Sequence, residues 1–364
     1  MTHVADGHPD ASRPRRLRFL PGLALALGAL LLATGPAWGQ AQFKIVTASE
    51  RGTYIQIGRD IAKFVAPAAD IELEVLPSVG SAENVERLRN EPGVKFAMVQ
   101  SDVFQAFLDL AAGGNPGADT LIRPLRVVMP LYNEEIYFIA RSDSPLNFVH
   151  EIKDAKINAG PLRSGTAMST TTIYRLMYGA PLPEATTSYL SNEDALVKLI
   201  GDKSIDVVVV VAGQPAKLLA DMKPEARQLI KLLKFDAAQP ASRAALRTYF
   251  PATVRTTSYP NLLTEDVPGV AVKAFLVTYD YRLASTASYL TRFARSLCQS
   301  MPVLKAQGHP KWREVSLELP DLGQGWQYYP ATERALRSCI ASQPPQTRPA
   351  KACAPEEKVL GLCK

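Results

Sequence analysis

The sequence predicts an α/β fold of two lobes, and three observations carry that prediction. From residue 43 to residue 99, short apolar runs alternate with amphipathic stretches in the order β-α-β-α-β, which favours a parallel sheet covered by helices. A second cycle of the same kind occupies residues 156–211. Once a targeting leader is set aside, about 323 of the 364 residues are left, a length that suits two lobes better than one.

Residues 43–47 read as the first strand, and residues 54–65 as an amphipathic helix with Ile57, Ile61, Phe64 and Val65 on one face. Residues 71–76 alternate Ile, Leu and Val with Glu, the pattern of a half-buried strand. A helix begins over residues 84–88, and residues 94–99 form the third strand. Residues 125–131 and 136–141 are expected as two further strands around Tyr132-Asn133-Glu134-Glu135, where the lobes should join. The second cycle runs through a strand at 156–159, helices at 166–178 and 192–200, and a strand at 205–211.

Residues 214–233 are expected to be helical with a break near Pro224, and residues 250–268 irregular because Pro251, Pro260 and Pro268 interrupt them. A strand at 269–278 returning to the first lobe would give two crossings, with a helix at 282–301 after it. Beyond Met301 the pattern reads as lobe-capping turns, and residues 344–355 as a loosely ordered tail. The resulting division is a leader at 1–41, a first lobe at 42–134 plus about 255–340, a second at 135–254, and a tail at 341–364.

The leader combines Arg13, Arg15, Arg16 and Arg18 with a 15-residue apolar run over 19–33 and small residues near 37–41. The run is shorter than the roughly 20 residues that span a bilayer, so a cleaved secretory signal is expected, and with it a periplasmic location. The formal charge is +6, of which the leader contributes four arginines against Asp6 and Asp10. The remainder is too mild to indicate nucleic acid.

All the cysteines lie late, at Cys298, Cys339, Cys353 and Cys363. With no Cys-x-x-Cys pair, and only His150 and His309 after the leader, no metal is expected. In an oxidising compartment two disulfides are expected. Cys298–Cys339 with Cys353–Cys363 is the most local of three connectivities, and the sequence alone leaves all three open. The two histidines are expected at the surface.

Five short polar loops follow the apolar strands: Ser49-Glu50-Arg51-Gly52-Thr53-Tyr54, residues 77–84, Gln100-Ser101-Asp102, residues 161–166, and Ala212-Gly213-Gln214-Pro215. Strand ends of open α/β sheets bind ligands because helix N-termini there present free N–H groups. Small hydrogen-bonding residues permit close approach of backbone to ligand. The candidate ligand-binding residues are therefore Gly52, Thr53, Tyr54, Gly80, Ser81, Asn84, Gln100, Ser101, Ser164, Gly165 and Thr166, with Gln214 at the cleft wall and Tyr132 where the lobes should join. Arg51 and Arg163 fit either an exposed charge or a bidentate partner for a ligand carboxylate. Asp102 reads as a helix cap, and Glu135 as a solvated or hinge carboxylate.

The stretches Gly52-Thr53-Tyr54 with Gly58, Gly80-Ser81-Ala82-Glu83-Asn84, Val99-Gln100-Ser101-Asp102-Val103, Gly160-Pro161 to Ser164-Gly165-Thr166, Ala212-Gly213-Gln214-Pro215 and Val270-Ala271-Val272-Lys273-Ala274 share one order. Over roughly residues 43–280 the chain resembles the TAXI-type extracytoplasmic solute receptors of TRAP transporters. That resemblance implies a two-lobed periplasmic binding protein of the second structural class, closing by a hinge. It also implies delivery to TRAP membrane subunits driven by an ion gradient. Two departures stand out: Arg51 precedes Gly52 where the family carries paired glycines, and Leu162-Arg163 fill a loop where smaller residues are common.

The expected ligand is a small anionic or zwitterionic solute, of the amino acid or dicarboxylate class. Micromolar capture requires about 8 kcal/mol. One helix N-terminus contributes roughly 0.3–1 kcal/mol, up to ~2 when partly buried, so contacts from both lobes are needed. A ligand sensor docking on a two-component sensor kinase is the alternative output of the same fold. An enzyme is disfavoured because Gly-x-Ser-x-Gly and His-Glu-x-x-His are both absent, and no cofactor is expected.

Overall fold

The computed structural model describes residues 40–323 and 325–342. The expected leader up to residue 39, the tail over 344–355, Cys353 and Cys363 lie outside the described residues. The strands are β1 Ala41–Val46, β2 Ile71–Leu76, β3 Val94–Gln100, β4 Leu125–Arg141, β5 Ile157–Asn158, β6 Thr187–Ser188, β7 Val207–Ala212, β8 Ile230–Leu232, β9 Phe250–Val254 and β10 Val267–Tyr279. They form a mixed 10-stranded sheet in the order β2-β1-β3-β10-β4-β7-β5-β6, with β8 on β4 and β9 on β10.

β1, β2 and β3 run parallel, as do β5, β6 and β7. Between these flanks, β4 and β10 pair antiparallel along most of their length, with register shifts near Lys273 and Leu276. They are the two strands that run through both halves of the sheet. One end of β10 pairs with β3 and the other with β9, while the second half of β4 pairs with β7 and β8.

Each half buries both faces, and alternation along the strands decides which residue goes where. In the first half, Phe96 and Met98 face one core with Ile45, Phe293 and Trp312, while Ala97 and Val99 face the opposite one with Val85, Phe104 and Trp326. In the second half, Val207 and Val209 join Phe138 and Ile173, while Val208 and Val210 join Ile139 and Leu199. Fully burying one such side chain contributes on the order of 1.5–3 kcal/mol.

The covering helices in the first half are α1 Thr53–Phe64, α2 Ser81–Asn90, α3 Val103–Ala112 and α4 Pro116–Ile122. The second half carries α5 Gly165–Tyr178, α6 Asn192–Ile200, α7 Lys217–Ala220, α8 Ala226–Leu229 and α9 Pro240–Ala245. The chain then returns through α10 Ala284–Gln307 and α11 Pro330–Ser342, both packed in the first half's core. Cys298 of α10 and Cys339 of α11 form a disulfide. No helix among the described residues is long and apolar enough to cross a membrane.

Several elements differ from expectation. The residues 132–135, expected between two strands, are continuous strand within β4, because each of them has a partner on β10 or β7 or a buried side chain. Residues 214–233 hold only the short α7 and α8 before β8, and residues 250–268 contain β9. Helices α3, α4 and α11 were not anticipated. β1 begins at Ala41, whose N–H donates to Asp70, one residue inside the stretch assigned to the leader.

Candidate functional site

Loops from both halves of the sheet end around one cavity of about 110 Å³. From the first half it is lined by Ala48 to Tyr54 after β1, by Val79, Gly80 and Ser81 after β2, and by Gln100 at the end of β3. The second half supplies Pro161, Ser164, Gly165 and Thr166 after β5, Asn192 and Glu193 after β6, and residues on either side of Gly213 after β7. All of these lie at the carboxyl ends of parallel strands, where an open α/β sheet places its crevice. The N-termini of α1, α2, α5 and α6 converge there. Ser164 caps α5 by accepting the Ala167 N–H at 3.0 Å.

The two halves touch around the cavity. Thr53 Oγ1 donates to the Gly213 carbonyl at 3.0 Å, and the Glu83 N–H donates to the Arg163 carbonyl at 3.2 Å. Ser169 Oγ and the Tyr249 hydroxyl, both of the second half, donate to Asp102 Oδ2 at 2.6 and 2.9 Å. Arg163 pairs with Glu86, and Arg175 with Asp109 at 2.5 Å. Arg51 lies 3.5 Å from Asp221 and 4.0 Å from Glu193.

Close approach dictates two glycines. A Cβ on Gly165 would sit 2.0 Å from Gln100 Oε1 and 2.7 Å from Ser81 Oγ, so no larger residue fits opposite β3. Gly80 has φ +134°, and its Cβ would lie 3.1 Å from the Gly165 nitrogen.

The cavity floor is acidic. Glu134 of β4 is 3% exposed, and its Oε2 has no hydrogen-bond partner among the described residues; the Tyr54 hydroxyl, 4% exposed, has none either. Burial pushes the Glu134 carboxyl up to about 8; the Glu135 charge adds to this, while Tyr54, Lys311 and Gln100 oppose it. Burial dominates likewise at Asp102, whose pKa is raised despite its bonds from Ser169 and Tyr249. No group of His, Cys, Asp and Glu among the described residues could hold a metal ion.

Of the residues named from the sequence, Arg51, Gly52, Thr53, Tyr54, Gly80, Ser81, Gln100, Ser164, Gly165 and Thr166 line the cavity. The others do not. Asn84 is buried in α2, donating to the Thr47 and Met98 carbonyls at 2.5 and 2.7 Å. The Ser101 carbonyl accepts from the Trp326 indole, and Arg163 turns outward to Glu86. Tyr132 lies under Lys311, whose Nζ is 5.8 Å from the ring centroid. Gln214 donates its backbone N–H and its Nε2 to Glu135, at 2.8 and 2.9 Å.

Some side chains play roles the sequence reading did not assign. Asp102 occupies the N-cap position of α3 but makes no side-chain cap bond; its carboxylate is taken by donors from the other half. Glu135 is buried against Lys311 Nζ at 2.9 Å. His309, expected at the surface, is partly buried, and burial together with Lys311 pushes its pKa down to about 4. Glu134, Asn192 and Glu193 were missed. For Glu134 the available signal was a pair of adjacent acids in the middle of a predominantly apolar 17-residue stretch.

A sequence model described as the NMT1-like family matches residues 45–334. Among solved structures, the chain is similar to the periplasmic binding protein BugD, with 14% identity, 82% of this chain and 94% of that one covered, and a TM-score of 0.47. It is also similar to XAC2383 from Xanthomonas citri bound to ATP, with 12% identity, coverage of 83% and 96%, and a TM-score of 0.44. A TctC solute binding protein from Polaromonas matches with 14% identity, coverage of 82% and 96%, and a TM-score of 0.41.

Proposed function

The chain belongs to the NMT1-like family, and from that premise we propose that it is a periplasmic solute receptor that captures a small carboxylate, of the amino acid or dicarboxylate class, by hinged closure. The observation that carries this reading is the cavity between the two halves, where helix N-termini converge on buried polar atoms that have no hydrogen-bond partner among the described residues. β4 and β10 are the hinge, because among the described strands these two run through both halves, while the loops around the cavity meet by side-chain and turn contacts. The lobes are then residues 42–134 with about 255–340, and residues 135–254. The captured solute is delivered to the membrane subunits of a TRAP transporter, as the resemblance of the strand-end loops to TAXI receptors implies. The role is binding without turnover.

A thermal-shift panel tests this reading directly. The purified protein, unfolded and refolded to strip carried-over solute, is screened against amino acids, dicarboxylates, oxo acids and inorganic anions. A saturable rise in melting temperature with one class is expected, about 2.7 kcal/mol of added stability at a hundredfold excess over Kd. A flat response across the panel would refute solute capture.

A further inference from the structure

A second cavity, of about 520 Å³, shares no lining residue with the first. It opens where the pairing of β3, β10 and β4 is interrupted. β3 ends at Gln100, and the N–H of the next residue, Ser101, donates to the Lys273 carbonyl at 2.8 Å. On β4, Pro130 stands opposite Phe275 with no N–H to give to the ladder. β4 also carries one residue more than β10 between that pair and the Asn133–Lys273 pair. Lys273 and Phe275, alternate residues of β10, both line the space that this leaves. Asp102 and Trp326 of the first half, with Arg247 and Phe250 of the second, complete its walls.

The Lys273 ammonium lies 5.8 Å from the centre of the Phe250 ring and forms no ion pair or hydrogen bond among the described residues. Burial lowers its pKa, and Glu314, already bonded to Lys311 at 2.8 Å, offsets this in part. The exposed Arg247 side chain at the rim likewise has no partner among the described residues. Trp326 commits its indole N–H to the Ser101 carbonyl at 2.9 Å, and packs edge-on against Phe275 at 5.0 Å, so both rings offer the cavity apolar surface. Two acids are also present. Asp321 is exposed at the rim and accepts the Gly323 N–H at 3.1 Å. Asp102 is 2% exposed, with Oδ2 taken by Ser169 and Tyr249 and Oδ1 unpartnered among the described residues. Burial raises its pKa and so favours its uncharged form.

A half-buried cation without a counter-ion, set among aromatic rings, selects for both charge and shape. A cationic ligand would meet Lys273 and Arg247, and a bare anion would leave the rings unused. We propose that this cavity is a second binding site, for a small aromatic carboxylate whose carboxylate pairs with Lys273 and whose ring packs on the aromatic wall. Its volume lies within the roughly 300–1,000 Å³ of small-molecule pockets. An occupant would touch both halves, and the proposal is independent of what the first cavity holds.

Tryptophan fluorescence of the whole protein reads occupancy, because Trp326 lines the cavity while Trp312, the other described tryptophan, is enclosed in the first half's core. The probes are phenylacetate, acetate and phenethylamine near neutral pH. Phenylacetate is expected to give a saturable change that Trp326→Phe removes, and to bind about tenfold or more tightly than either of the others. Lys273→Met should weaken phenylacetate binding by about tenfold or more, and Lys273→Arg should retain most of it. Equal affinity for phenylacetate and phenethylamine, or no saturable signal from phenylacetate, would overturn the inference. Phenylacetate binding unchanged by Lys273→Met would also overturn it, by placing the ligand elsewhere. If Lys273→Met does not fold, the wild-type comparison with Trp326→Phe decides the matter.

Discussion

Glu134 and Gly165 face each other's halves of the cavity, and each makes a separate prediction. In the unfolded chain Glu134 gives up its proton near 4.5, whereas in the folded protein it keeps it to about pH 8. Between those values the folded state binds more protons, so stability falls as pH rises, by up to about 1.4 kcal/mol per unit, and levels off above pH 8. Melting curves of the solute-free protein from pH 5 to pH 8 should therefore slope downward, and Glu134→Gln should flatten that slope; parallel slopes would mean the carboxyl is not buried as described. At Gly165 the backbone is ordinary helix, so alanine is compatible with α5 itself. The new methyl would collide with Gln100 and Ser81 of the other half, so the clash bears on the contact between the halves and, on the closure reading, on the solute-bound state. Overpacking of this kind costs roughly 1–3 kcal/mol, which should weaken solute binding on the order of 5- to 150-fold while the solute-free melting temperature barely moves.

At the scale of elements, β4 carries most of what sequence reasoning could not see. Tyr132-Asn133-Glu134-Glu135 interrupts the apolar pattern with a turn former and two acids, which reads locally as a connection between strands. What makes them strand is the pairing with β10 and β7, and for Glu135 the Lys311 ammonium 176 residues away. Such a partner has no trace in the local pattern. Removing it has a large expected effect: Glu135→Ala leaves Lys311, fully buried, with only the half-exposed Glu314, and should cost about 3–5 kcal/mol in chemical denaturation. A loss below 1 kcal/mol would show that the ion pair is not closed in solution. The strand-end loops, by contrast, were legible because Gly, Ser, Thr and Asn are selected there by chemistry local to each helix start. Asn84 and Asp102 obeyed the same residue-type rule but were recruited elsewhere, one to carbonyls of β1 and β3 and the other to hydroxyls across the cleft. The α10–α11 disulfide closes a 41-residue separation and should contribute about 4 kcal/mol by the chain-entropy relation, measurable as the difference between wild type and Cys298→Ser with Cys339→Ser under non-reducing conditions.

For the whole molecule, the α/β order was legible in strand periodicity, because alternate residues of one strand feed separate cores on the two faces. The cavity is a property of neither half alone. Exposed ion pairs such as Arg51 with Asp221 contribute only about 0.2–1 kcal/mol each, so the stronger contacts between the halves are the buried hydrogen bonds of Ser169 and Tyr249 to Asp102 and of Thr53 to Gly213. On the proposed reading, a solute buried between the halves adds its own contacts to these and favours the closed state. Small-angle X-ray scattering of the stripped protein, with and without a saturating solute found by thermal shift, measures this most directly. A smaller radius of gyration in the bound state is the expected result. Identical scattering curves at demonstrated saturation would contradict capture by closure.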